Sequence, residues 1–205
     1  MTTVPNDGGL GPDSVFSGRK ILLGITGGIA CFKAAGLVSQ LVQSRAHVRV
    51  AMTEAATRFV TPLTFQSLSG QSVVTSIWES HDQHDAHHVG HARWADMMII
   101  APATADVMAK LAAGLCDDVV TLCACALPRQ TPVLLAPAMN EQMWQNPVTQ
   151  RNLHTIQSVL GYQIVGPDEG WQACRTRGSG RMSEPAAIVD GALKILQACP
   201  PKPEA

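Results

Sequence analysis

The stretch KILLGITGGIACFKAAGLVSQLVQSRAHVRVAM, Lys20 to Met52, decides the fold. Lys20–Thr26 is a continuous apolar run of strand length. The Gly27-Gly28 pair marks a turn, and apolar residues then recur with helical spacing over about Ala30–Arg45. A second apolar run, His47–Met52, follows. Strands that are apolar throughout are buried on both faces. Two of them separated by one helix, within about 30 residues, form a parallel crossover unit.

The pattern continues outward from there. Thr53 is placed to cap a short helix, Pro62 opens another through Ser69, and Ser72–Ile77 reads as a third strand. Met97–Ala101 is a strand expected to end at Pro102, with helices over Ala105–Ala113 and Asp117–Ala126 after it. Val133–Ala136 reads as strand, Pro147–Leu160 as helix, Gln163–Val165 as a short strand and Glu184–Gln197 as a closing helix. Strands alternating with helices predict one α/β domain with a mostly parallel sheet covered on both faces. In such sheets ligands lie beyond the carboxyl ends of the strands. Those ends read ITGGIA, AMTEAA, APATAD and APAMNEQM.

Of 205 residues, 46% are hydrophobic and 15% charged, with a formal net charge of -1. That balance gives no reason to expect nucleic acid or an anionic membrane as partner. The low charged fraction points to surface buried against other subunits. No apolar run reaches the roughly 20 residues that span a bilayer. Residues 1–18 read as a flexible leader and 199–205 as a tail, which leaves 19–198 as the domain. The start lacks a basic-then-apolar segment, and the cysteines lack a tandem metal-binding spacing. Free thiols in the cytoplasm are therefore expected.

Several segments carry candidate chemistry. The turn at Gly27 and Gly28 lets backbone approach a phosphate at a helix N-terminus, and the same residues also make an ordinary tight turn. It fits neither the dinucleotide nor the triphosphate fingerprint. In APATAD, Thr104 and backbone amides can meet polar ligand atoms. Asn140, directly after a strand, offers a donor and an acceptor. GPDEGWQACRTRGSGRM, Gly166 to Met182, sets Cys174 in a glycine-rich loop beside Arg175, Arg177 and Arg181. Nearby positive charge favours a thiolate; a surface loop with an incidental cysteine is the plain alternative. Cys31, Cys116, Cys123 and Cys125 lie in apolar, helical surroundings and read as small hydrophobes.

Five of the seven histidines fall in SHDQHDAHHVGHARWAD, Ser80 to Asp96. On a helix, His84 with His88 and His87 with His91 would share a face and could hold a metal. The stretch lacks an apolar period, which argues for a solvated loop with one or two working residues.

Taken in order, KILLGITGGIACFKA, HVGHARWAD, APATAD, AAGLCDD, APAMNEQMW and GPDEGWQACRTRGSGRM resemble the homo-oligomeric flavin-containing cysteine decarboxylases. Within that family the likeness is to the bacterial branch acting on phosphopantothenoylcysteine in coenzyme A biosynthesis, and it covers about Arg19 to Gln197. It implies a Rossmann-like (flavodoxin-like) three-layer sandwich. It also implies an FMN-dependent decarboxylation of phosphopantothenoylcysteine to 4'-phosphopantetheine. In that reaction the thiol is oxidised to a thioaldehyde, CO2 leaves and the enethiol is reduced.

The resemblance gives His88, six residues before Trp94, as the active-site histidine and Cys174 as the proton donor of a mobile clamp. Asn140, Met143 and Ala173 are the implied substrate contacts. The implied FMN contacts are Gly27, Gly28, Ile29, Thr53, Ala55, Phe59, Thr104, Ala105, Asp106, Val107 and Ala138. No metal is implied. A trimer or dodecamer with FMN between subunits is implied, with a phosphopantothenate–cysteine ligase, fused or separate, supplying the substrate. His91 stands where the family usually has an aliphatic residue, and Arg175-Thr176 where it usually has glycine and an acid. The alternatives are a peptidyl-cysteine decarboxylase of the lantibiotic type, a flavin prenyltransferase and a non-catalytic regulatory flavoprotein.

Overall fold

In the computed structural model, which describes residues 14–78 and 87–200, the opening stretch forms β1 (Lys20–Ile25), α1 (Cys31–Gln43) and β2 (His47–Met52). The two strands pair in parallel, Ile21 beside Val48 and Ile25 beside Met52. With β3 (Met97–Ala103), β4 (Val133–Pro137) and β5 (Gln163–Ile164) they make one parallel sheet in the order β2-β1-β3-β4-β5.

Alternation along each strand divides the apolar side chains between two cores. Ile21, Leu23 and Ile25 of β1, with Met97 and Ile99 of β3, face one side. There they meet Leu37 and Leu41 of α1, Phe65 of α3 (Pro62–Ser69), and Ile188 and Ile195 of α9 (Pro185–Gln197). Leu22, Met98 and Ile100 face the other side. Their partners are Met108 and Leu111 of α5 (Ala105–Ala113), Val120 and Cys123 of α6 (Val119–Ala126), and Ile156 of α8 (Pro147–Ser158). Gly24 marks how closely α6 packs, since a Cβ there would lie 2.7 Å from Val120 Cγ1. The result is the three-layer sandwich that the alternating pattern implied.

The sheet order reverses direction between β1 and β3, because β2 lies on one side of this pair and β4 on the other. The crevice beyond the carboxyl ends of two such strands is where an open α/β sheet has room for a ligand. Short caps shape the entry loops. Thr53 Oγ1 accepts from Ala56 N at 3.2 Å to start α2 (Glu54–Thr57), and Thr104 Oγ1 accepts from Val107 N at 3.3 Å to start α5.

Several expectations are corrected. Ser72–Ile77 is not a strand: only Val74 bridges to Ala51, through Val74 N to Val50 O at 3.0 Å and Met52 N to Val74 O at 2.8 Å. Pro102 does not end β3, because its missing N–H coincides with a register shift between Ile100 and Ala103, where pairing with β4 resumes. The second half of the histidine stretch is α4 (His87–Trp94) despite Gly90. Ala92 and Ala95 are fully buried there, so packing against α6 and β1 overrides weak local propensity. Residues 79–86, with His81 and His84, lie outside the described residues.

The glycine-rich segment holds an antiparallel hairpin, β6 (Asp168–Trp171) and β7 (Arg177–Arg181), where the sequence suggested a loop. A short helix, α7 (Glu141–Gln145), follows Asn140. Phe16 is buried in the first core, so the packed chain begins before Arg19. Among the described residues no helix is long and apolar enough to cross a membrane.

Candidate functional site

A cavity of about 1290 Å³ opens at the β1–β3 switch point. Its floor is the turn after β1. Gly27 is required there, because a Cβ would run into Ala55 at the start of α2. Gly28 has only the Thr104 methyl within 4 Å of its virtual Cβ, so its backbone faces open space. Thr26 Oγ1 donates to Pro102 O at 2.7 Å and accepts from Thr104 N at 3.1 Å, which ties the two loops together. Cys31 Sγ donates to Thr26 O at 3.1 Å and closes the turn from below.

Most of the residues singled out in the sequence meet here. Gly27, Gly28, Ile29, Thr53 and Ala55 line one side of the cavity, and Thr104, Ala105 and Asp106 line the next. Ala138, Asn140, Met143, Ala173 and Cys174 complete it from the loop after β4, from α7 and from the hairpin tip. Phe59 and Val107 do not join them. Phe59 stands outside the lining and is half exposed. Val107 is buried in the second core, with its N–H turned to Thr104. His88 lies in the first turn of α4, and its side chain is outside what is described.

Asn140 has a double role. Its Oδ1 accepts from Met143 N at 2.8 Å, capping α7, so the amide nitrogen is the end left for a ligand. The hairpin is held over this loop by Met139 N donating to Gly180 O at 2.9 Å and by Lys33 Nζ, which donates to Met182 O at 2.9 Å and pairs with Glu184 at 3.0 Å. Arg181 also pairs with Glu184. At the hairpin tip Arg175 has φ 66°, the left-handed region that favours glycine. Arginine here costs about 1 kcal/mol of backbone strain.

Sequence reading missed Lys33, Lys110 and Gln172, all of which line the cavity. Lys110 lies 3.3 Å from Asp106, 3.1 Å from Asp117 and 3.2 Å from Asp118. Burial works against its charge, but the three carboxylates outweigh it and raise its pKa above the ordinary lysine value. The i,i+4 spacing of Asp106 and Lys110 was the available signal. Lys33 and Gln172 carried none, since their partners are distant in sequence.

All six cysteines are unpaired. Burial pushes the Cys123 thiol up to about 12, and burial together with the neighbouring Cys125 thiol pushes Cys116 up to about 11. Both therefore stay protonated near neutral pH. Cys31 and Cys123 are the small hydrophobes expected, but Cys125 is exposed and Cys116 lies in the α5–α6 loop. His91 has a structural partner. Arg49 Nη1 lies 3.3 Å from its Nδ1 and the Arg49 guanidinium stacks 4.2 Å above the Trp94 ring. Among the described residues no three His, Cys, Asp or Glu side chains gather as metal ligands would.

Known proteins resemble this chain. The coenzyme A biosynthesis bifunctional protein CoaBC of Haemophilus influenzae is 46% identical over 173 residues, which is 84% of this chain and 42% of that protein. The chain thus spans less than half the length of the curated relatives it matches. A mutant PPC decarboxylase complexed with pantothenoylaminoethenethiol superposes with a TM-score of 0.78 at 29% identity, covering 88% of this chain and 99% of that one. The FMN binding protein AtHal3 gives 0.77 at 30% identity, covering 89% and 98%. The Flavoprotein family matches residues 13–197, essentially the whole described sandwich, and the chain belongs to that family.

Proposed function

We propose that the chain decarboxylates phosphopantothenoylcysteine to 4'-phosphopantetheine with FMN bound at the β1–β3 switch point. One observation carries this reading: the glycine turn, the Asn140 amide and the Cys174 thiol converge on a single cavity. The likeness to a decarboxylase holding pantothenoylaminoethenethiol, and to a bifunctional coenzyme A biosynthesis protein, supports the choice of substrate.

The turn fits FMN. The N–H groups of Gly27, Gly28 and Ile29 have no acceptor among the described residues, and α1 begins without a side-chain cap. Backbone donors at a helix N-terminus suit a phosphate. Thr53, Thr104 and Asp106 add polar contacts around the same space, and Ala55, Ala105 and Ala138 keep it open. Bound FMN supplies a hydride acceptor for the thiol-bearing carbon and returns the hydride at the end of the cycle.

The chain's own residues do the rest. The Asn140 amide nitrogen holds the substrate carboxylate in place, while Met143 and Ala173 wall the cavity beside it. His88 takes the proton released from the substrate during oxidation. Cys174 gives a proton to the substrate carbon when the enethiol is reduced. We extend the proposal to a homo-oligomer, trimer or dodecamer, with FMN between subunits. Ile29, Phe32 and Leu63, at 58%, 62% and 68% exposure, are large apolar groups that a second subunit would cover. An enzyme joining phosphopantothenate to cysteine must supply the substrate. The free thiols suit a cytoplasmic setting.

Substrate competition tests the choice. The purified chain is expected to release CO2 from phosphopantothenoylcysteine and to leave a peptide ending in cysteine intact. Release from the peptide with none from the small substrate would overturn it.

A further inference from the structure

Cys174 is exposed, yet its thiol is held at two points. Sγ lies 3.5 Å from Gln172 Oε1 and 2.9 Å from Thr176 Oγ1. Gln172 is itself only 7% exposed and is fixed from both ends. Its Nε2 donates to Ser179 O at 2.8 Å, and its Oε1 accepts from Glu141 N at 3.3 Å. A backbone carbonyl can only accept and a backbone N–H can only donate, so the amide cannot be flipped. The oxygen therefore faces the thiol, and the thiol must be the donor. Its one proton being engaged there, the Thr176 hydroxyl must donate to sulfur.

Glu141 secures the same brace. Its Oε1 accepts from Ser179 N at 3.2 Å and Ser179 Oγ at 3.3 Å. A Cβ at Gly178 would lie 2.6 Å from the Glu141 carboxyl carbon, so this glycine is what lets the carboxylate rest on β7.

We propose that Gln172 is the positioning residue of the Cys174 thiol, holding and aiming its S–H, and that the Thr176 hydroxyl takes up the sulfur's charge once the proton has left. This rests on Cys174 being the proton donor of the proposed decarboxylase. In that step the S–H bond breaks, the proton goes to the substrate carbon and the electron pair stays on sulfur. The accompanying hydride is the one removed from the substrate earlier in the proposed cycle. The thiolate left behind regains a proton from water. Thr176, a departure from the acid usual in the family, thereby gains a role.

Alkylation by iodoacetamide reads this out, because the thiolate is the reactive form. Rates at Cys174 are followed at neutral pH by mass spectrometry of digests, with exposed Cys125 as internal reference. Gln172→Met removes the acceptor and is expected to speed labelling about two- to tenfold; Thr176→Val removes the donor and is expected to slow it by a similar factor. Gln172→Glu keeps the acceptor but loses the donor to Ser179, and is expected to bring no acceleration. A hairpin merely loosened would label faster in both Gln172 variants, and that result, or unchanged rates, would overturn the proposal. The labelling needs no substrate. A chain with this pattern that never turns over phosphopantothenoylcysteine would sink the functional reading alone.

Discussion

Cys174→Ser is expected to leave the first CO2 release, one per bound flavin, intact and to stop the cycle at the enethiol. Serine fits the same place at the hairpin tip and can keep the contacts to Gln172 and Thr176. Its hydroxyl is a far weaker acid than a thiol, so the proton needed at the substrate carbon is not delivered. Loss of a positioned general acid costs about 10²- to 10⁴-fold, and formation of 4'-phosphopantetheine should fall by that factor. The accumulating product is lighter than 4'-phosphopantetheine by two hydrogens, which mass spectrometry resolves directly. Full-rate 4'-phosphopantetheine formation by the variant would remove Cys174 from the chemistry. Loss of CO2 release as well would move its role to an earlier step.

His88→Asn is expected to lower turnover by a similar factor, about 10²- to 10⁴-fold, while the flavin stays bound. His91, three residues further along α4, has a structural role of its own. His91 is held against Arg49, which lies over Trp94, and this stack has no part in the cavity lining. His91→Asn keeps a polar partner for Arg49 and should change turnover by no more than about two- to threefold. Steady-state rates alongside the visible spectrum of each variant check both statements. Equal losses from the two variants would point to a shared role, as in a pair of metal ligands.

The sheet was legible because buried parallel strands are apolar throughout and need no distant information. Lys20–Ile25, His47–Met52 and Val133–Pro137 fall where continuous apolar runs lie. Ser72–Ile77 misled because Val73, Val74 and Ile77 resemble a strand, whereas a sheet edge needs a partner that local sequence cannot supply. The cavity floor was legible for a similar reason: Gly27-Gly28, Thr53 and Thr104 all sit directly after strands.

The hairpin was not legible. Gly170, Gly178 and Gly180 read as flexibility, but two of them are small so that Arg181 and Glu141 can lie across the strands, and Gly180 passes against the Met139 carbonyl. The polar brace of Gln172, Glu141 and Ser179 joins residues 31 and 38 positions apart, a separation no local pattern reports. Helix α4 was missed for the opposite reason, since its helicity is imposed by the burial of Ala92 and Ala95 and not by its own residues.

The most direct measurement combines the visible spectrum with product analysis on one preparation. The purified chain is expected to be yellow, to release FMN on acid denaturation, and to form one 4'-phosphopantetheine and one CO2 per phosphopantothenoylcysteine consumed, without any added nicotinamide cofactor. A colourless chain that FMN cannot reconstitute, or a flavin-loaded chain that leaves phosphopantothenoylcysteine untouched, would contradict the proposed function.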